Sequence, residues 1–132
     1  MTLPEISLVT PCFNGEKFLD AFFQSILNQT YKNYELIFID DGSTDKTKQI
    51  ALKWIEVFRN SGISAYYFYQ KNAGQAKAIN LALTKVKGRF FCWPDSDDEL
   101  HEHFFESAIN EFKSNEYNIV RTYACVVNEA EP

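Results

Sequence analysis

Asp95-Ser96-Asp97-Asp98 places three carboxylates in four positions, too dense for them to ignore one another. Two like charges ~4 Å apart at an effective dielectric of about 20 repel by roughly 4 kcal/mol, so such a cluster implies a cation, a raised pKa or splayed side chains. A divalent cation is the preferred resolution. Carboxylate oxygens suit Mg²⁺ or Mn²⁺ over Zn²⁺, and such ions are commonly held by one or two carboxylates plus substrate phosphates, which makes a diphosphate the natural co-ligand. The rival reading is an acidic helix start that complements the macrodipole. His101 and His103 hint at zinc, but two positions apart on a helix they point to different sides, so no histidine site is expected. Glycine-based phosphate cradles are missing: there is no G-x-x-x-x-G-K-[ST], and no G-x-G-x-x-G follows a strand. Metal and side chains must meet the phosphate.

Strands alternating with helices would position these acids. Ile6 to Val9 and Glu35 to Ile39 are short, apolar and β-branched, as buried parallel strands are. Ile63 to Tyr69 and Arg89 to Trp93 carry the same signature with aromatics, and Ile119 to Val127 is a weaker fifth candidate. Between them the apolar spacing turns helical: Phe18, Leu19, Phe22, Phe23, Ile26 and Leu27 form one stripe, and Ile50, Ala51, Trp54, Ile55 and Phe58 a second. Ala76, Ile79, Leu83 and Val86 form a third, then Phe104, Phe105, Ala108, Ile109 and Phe112 a fourth. Strict alternation with short loops predicts right-handed crossovers and a doubly wound α/β fold, a mostly parallel sheet with helices on both faces.

In open parallel sheets ligands bind beyond the carboxyl ends of the strands. The stretches there are Pro11 to Gly15, Asp40 to Ser43, Lys71 to Gly74 and Pro94 to Asp98, all on one edge, while the strand-starting ends show no such concentration of Asp, Asn and Gly. Asp40 to Ser43 could also be only a turn with a helix cap.

Composition bounds the partners. The 132 residues read as a single domain over 1–132, and 16% aromatic content with twelve Phe supports a packed core. A net charge of −5 leaves no broad basic surface, so nucleic acid is not an expected partner. No apolar run approaches the ~20 residues of a membrane span, and the chain reads as soluble and cytoplasmic. Cys12, Cys92 and Cys125 are an odd set without a C-x-x-C pair, which fits reduced, buried thiols.

Four ordered stretches give a resemblance. ISLVTPCFNG (Ile6 to Gly15), ELIFIDDGSTD (Glu35 to Asp45), Asn72-x-Gly74-x-x-x-Ala78-x-Asn80 and GRFFCWPDSDD (Gly88 to Asp98) together resemble glycosyltransferase family 2, the inverting group with a GT-A, Rossmann-like fold. They cover about residues 5 to 110. The resemblance implies a nucleotide-sugar donor, with UDP-sugar expected, a Mg²⁺ or Mn²⁺ cofactor, and a glycan or lipid-linked acceptor. Pro11 and Phe13 would line the base pocket, Asp41 would take a hydrogen bond from the base edge, and Glu16 would add a ribose contact. Asn72 and Gly74 belong to the third motif, and Lys77 falls where the family often has a cation near the diphosphate. Asp95 would face the ribose and Asp97 would ligate the metal, with Asp98 a second ligand or the cap of the following helix.

Trp93-Pro94 departs from the family pattern, which usually has aliphatic residues there; Pro94 could preset the loop, with Trp93 as pocket wall or core. The family's catalytic base is expected beyond Pro132, so none is nominated, and this stretch alone is expected to bind donor but transfer sugar poorly. The implied role is surface polysaccharide synthesis, with peripheral association of the full-length protein at the inner face of the membrane. A non-catalytic nucleotide-binding or regulatory domain is the runner-up. A receiver-type signalling domain needs its acidic pair after the first strand, where Pro-Cys-Phe-Asn stands, and a nucleotidyltransferase needs a Gly-rich first loop.

Overall fold

A computed structural model describes residues 2–116 and 119–120. Four strands, β1 (Ile6–Cys12), β2 (Tyr34–Asp41), β3 (Ser64–Gln70) and β4 (Phe90–Cys92), form an all-parallel sheet in the order β3-β2-β1-β4. Helices α1 (Leu19–Leu27), α2 (Thr47–Asn60), α3 (Gln75–Leu83) and α4 (Phe104–Ser114) alternate with them.

Alternation along the two central strands sorts the core into two layers. Leu8, Leu36 and Phe38 face one side, where Phe22 and Phe23 of α1, Phe58 of α2 and Phe105 of α4 pack. Val9, Ile37 and Ile39 face the other and meet Ala78, Ile79 and Ala82 of α3. Helices therefore cover both faces, as the doubly wound reading requires. All eight residues of β2 are buried, the state of a central parallel strand.

Several boundaries moved. β1 runs on through Pro11 and Cys12, and β2 through Asp40 and Asp41, so these four residues end strands where turns were expected. Their in-register pairing, Pro11 with Ile39 and Cys12 with Asp40, continues the ladder past the apolar run. Pro11 is tolerated because β4 flanks β1 only as far as Leu8. The buried stripe of α3 is Ala78, Ile79 and Ala82, with Ala76 and Leu83 exposed. Two of these three side chains are alanine, which lets the helix lie close to the sheet. Phe18 precedes α1 and is exposed. The fifth strand expected over Ile119 to Val127, and with it Cys125, lies outside the described residues apart from positions 119 and 120, which are not strand.

α4 begins only at Phe104, with His103 at its N-cap. Asp95 to Glu99 are therefore no helix start, and Asp98 is no cap of α4. His101 and His103 sit in the preceding turn with ring centroids 5.5 Å apart, so the helical spacing assumed for them does not apply. Among the described residues they still join no group able to hold a metal; only the aspartates do.

A buried polar cluster ties the strand-starting edge. The Ser7 hydroxyl donates to Glu35 Oε1 at 2.6 Å, the Lys87 N–H donates to the same oxygen at 2.8 Å, and the Gly88 N–H donates to Ser7 Oγ at 2.8 Å. A Cβ on Gly88 would lie 2.7 Å from the Ser7 nitrogen, so the entry into β4 admits only glycine without a shift.

Candidate functional site

The carboxyl ends of β1 and β2 and the stretches after β3 and β4 converge on one open cavity of about 230 Å³, lined by Pro11, Cys12, Phe13, Asp41, Gln75, Asp95 and Ser96. Larger hollows flank α1 and the start of β3, but neither touches these residues.

Two loops build the first wall. Asn14 adopts φ +51°, a left-handed conformation that asparagine tolerates better than most side chains. Its Oδ1 accepts the N–H groups of Thr44 at 2.8 Å and Asp45 at 3.3 Å, while its own N–H donates to Ser43 Oγ at 2.9 Å. The Gly15 N–H donates to Thr47 Oγ1 at 2.9 Å, and the Glu16 N–H to Asp45 Oδ2 at 3.2 Å. Glu16 Oε2 accepts the Lys46 N–H at 3.0 Å, so this carboxylate braces the two loops and does not line the cavity. Phe13 remains 53% exposed at the rim, a flat apolar surface free to stack.

Asp41 builds the second wall. Its Oδ1 accepts the Gln70 amide at 2.7 Å and the Ala73 N–H at 2.8 Å, and its Oδ2 accepts the Gly74 N–H at 3.1 Å. Burial pushes this carboxyl up, but the three donors outweigh it, and the group lies below the usual carboxylate range. The Asn72 amide donates to the Asp41 carbonyl at 3.1 Å. Gly42, at φ +76°, permits this approach: a Cβ there would sit 2.6 Å from the Asn72 nitrogen. Asn72 and Gly74 thus join the site through Asp41. Lys77 is exposed on α3 and does not line the cavity.

The turn after β4 builds the third wall. The Asp98 N–H donates to the Asp95 carbonyl at 3.1 Å, and Asp98 Oδ2 accepts the Asp95 N–H at 3.2 Å, which closes a tight acidic turn. One carboxylate oxygen from each of Asp95, Asp97 and Asp98 lies within 4.8 Å of the others, and all three residues are exposed. Burial and the neighbouring charges of Asp98 and Asp97 hold the Asp95 carboxyl above its ordinary value. Close, solvent-facing, mutually repelling oxygens are a donor set that fits an octahedral divalent cation keeping some of its waters. Trp93 is neither pocket wall nor core; half exposed, it stacks on Phe91 at 6.0 Å between ring centroids.

Three lining residues were not singled out from the sequence. Gln75, whose amide donates to Asp95 Oδ1 at 3.4 Å, directly follows Gly74 and could have been placed by its position past the third strand. Ser96 stands between two acids, and its type alone carries no signal of a lining role. Cys12 is buried, as expected of a structural thiol, and burial raises its pKa, yet it also lines the cavity. Cys92 packs against the core, and burial pushes its thiol up to about 12.

The family model for "Glycosyl transferase family 2" matches residues 7–131. An uncharacterised glycosyltransferase of Rickettsia typhi is 37% identical over 107 residues, covering 81% of this chain and 31% of its own length. Among solved structures, S. aureus TarS 1-349 in complex with UDP-GlcNAc superposes with a TM-score of 0.76 at 28% identity, over 85% of this chain and 32% of that one. Mannosyltransferase PcManGT from Pyrobaculum calidifontis, in complex with GDP-Man and Mn²⁺, has a TM-score of 0.74 at 22% identity over 80% of this chain and 31% of that one, a likeness of fold. The chain spans about a third of the length of these proteins.

Proposed function

From the premise that the chain belongs to glycosyltransferase family 2, we propose that it binds the nucleotide-sugar donor, with UDP-sugar expected, in a metal-dependent sugar transfer. The acceptor is the hydroxyl of a glycan or lipid-linked molecule, and the transfer inverts the anomeric centre. The observation that carries this reading is the meeting of an apolar rim, a base-edge carboxylate and a three-aspartate turn around one cavity. The UDP-GlcNAc bound by TarS, which shares the fold and 28% of the aligned residues, supports uridine over guanosine.

In this reading Phe13 and Pro11 bound the base, and Asp41 offers the acceptor capacity left on Oδ2 to a base N–H. Asp95 and the Gln75 amide face the ribose side, and Asp97 with Asp98 would hold Mg²⁺ or Mn²⁺. That cation, when bound, supplies Lewis-acid compensation for charge growing on the leaving diphosphate. Asp97 is the first choice of ligand because neither of its neighbours is as free: Asp95 accepts from Gln75, and Asp98 closes the turn. The role fits synthesis of a surface polysaccharide in the cytoplasm at the inner face of the membrane; among the described residues no helix is long and apolar enough to cross one. Calorimetric titration with UDP and GDP, each with Mn²⁺ or chelator, tests the reading. Metal-dependent binding that favours UDP is expected, and indifference to both nucleotides would overturn it.

A further inference from the structure

Gln29 is the largest polar side chain among the fully buried residues, and it does not touch the cavity. It lies just beyond α1, where an amide without exposure must find every partner inside the protein. Its Nε2 donates to the His101 carbonyl at 2.7 Å and to the Ser25 carbonyl at 3.2 Å, and its Oε1 accepts the Phe105 N–H at 3.0 Å. One turn earlier, Ser25 Oγ donates to the Phe22 carbonyl at 2.7 Å and accepts the Leu100 N–H at 3.0 Å. The Thr30 N–H adds a bond to the Glu102 carbonyl at 2.9 Å. The C-terminal end of α1 thus grips the chain at residues 100, 101, 102 and 105, immediately past the acidic turn.

The other end of that turn is held by Thr10 Oγ1, which donates to the Pro94 carbonyl at 3.3 Å. Between these anchors the acidic turn has the long Gln75 to Asp95 bond, a weak side-chain bond between Ser96 and the Cys12 thiol, and its own internal pair, none of which holds Asp97. The spacing of three mutually repelling carboxylates is therefore set from outside, by where the ends are fixed.

We infer that Ser25 and Gln29 are positioning residues for the cation site, acting through the Leu100–Phe105 backbone to hold Asp95, Asp97 and Asp98 in ligating geometry. The inference rests on the donor-and-cation reading above. Partners that orient metal ligands without touching the metal typically contribute 10–100-fold in metal affinity, and misplacement of ligands is what their loss produces.

The test uses S25A, which removes the hydroxyl that accepts the Leu100 N–H and donates to the Phe22 carbonyl, and Q29L, which roughly keeps volume and removes the amide. E35A, whose loss unsettles the opposite edge of the sheet, controls for general destabilisation. Mn²⁺ affinity is measured in the presence of UDP, and UDP affinity is measured with chelator. Both clamp variants should weaken Mn²⁺ at least ~10-fold with metal-free UDP binding unchanged, and E35A should change neither. Wild-type Mn²⁺ affinity in S25A and Q29L, or an equal loss in all three variants, would overturn the clamp. A second readout needs no metal: amide exchange at residues 95–99 in chelator should quicken about tenfold in S25A while β1 and β2 stay protected. Unchanged exchange there would also overturn it. If wild-type protein ignores Mn²⁺, the cation reading fails, and the exchange measurement still decides whether the clamp orders the turn.

Discussion

The carboxylate of Asp41, the last residue of β2, accepts the backbone N–H of Ala73 at 2.8 Å and so fixes the stretch after β3 from the neighbouring strand. In D41N one oxygen becomes an NH₂ group that faces an N–H donor, Gly74 if it replaces Oδ2, or Gln70 and Ala73 if it replaces Oδ1. A buried donor left unsatisfied costs about 1–3 kcal/mol, and D41N should lose that much in urea unfolding. UDP affinity should fall with it, because the same loop carries Gln75 into the cavity.

Acid should erode this part of the molecule late. The Asp41 carboxyl is held below its ordinary value by the donors that outweigh its burial. Asp45 is likewise lowered, since bonds from Thr47 and Glu16 overcome burial. A depressed folded-state pKa contributes stability that is fully present above the unfolded value of ~3.9 and is lost as pH falls through the folded value. Neither group should make stability vary between about pH 5 and 8. Below about pH 4 stability should decline, less steeply in D41N; an equal acid slope in wild type and D41N would contradict this assignment.

Gly15 is constrained by Cys12. A Cβ at position 15 would lie 2.5 Å from Cys12 Sγ and 3.5 Å from Ser96 Oγ, between two lining residues. Overpacking of this kind costs about 1–3 kcal/mol, so G15A should unfold at lower denaturant than wild type. In a C12A background the same change should cost clearly less, and a double-mutant cycle reads the coupling. Additive losses would mean that the clash is relieved elsewhere.

How the sequence announced the site differs from wall to wall. β1 and β2 were legible from β-branched runs because burial on both faces demands them. Their last residues were missed because Pro11, Cys12, Asp40 and Asp41 carry no strand signature and are extended through pairing with neighbouring strands, Pro11 with Ile39, Cys12 with Asp40 and Asp41 with Gln70. The aspartate turn was visible as charge density, but its distinction from a helix start needed the start of α4 at Phe104. Gln29 and Glu35 left no local trace: each ties in backbone groups 52 or more residues away, a separation that periodicity cannot register.

The Ser7, Glu35 and Lys87 cluster should matter to stability alone. E35A would strand the Ser7 hydroxyl and the Lys87 N–H, an expected loss of about 1–3 kcal/mol in chemical unfolding. Nucleotide binding should persist wherever the protein remains folded.

The central claim is that the aspartate turn couples a divalent cation to nucleotide binding. Its most direct test is the stability of wild type and D97N with UDP at saturating concentration, in Mn²⁺ and in chelator. Ligand at 100 times its dissociation constant adds roughly 2.7 kcal/mol. Wild type should gain stability of that order with UDP and Mn²⁺ and markedly less with UDP in chelator. D97N should lose the metal-dependent part, while without ligand it should be no less stable than wild type, since one of three repelling charges is gone. A wild-type response to UDP that is the same with Mn²⁺ and with chelator, or a D97N response equal to wild type, would contradict the account.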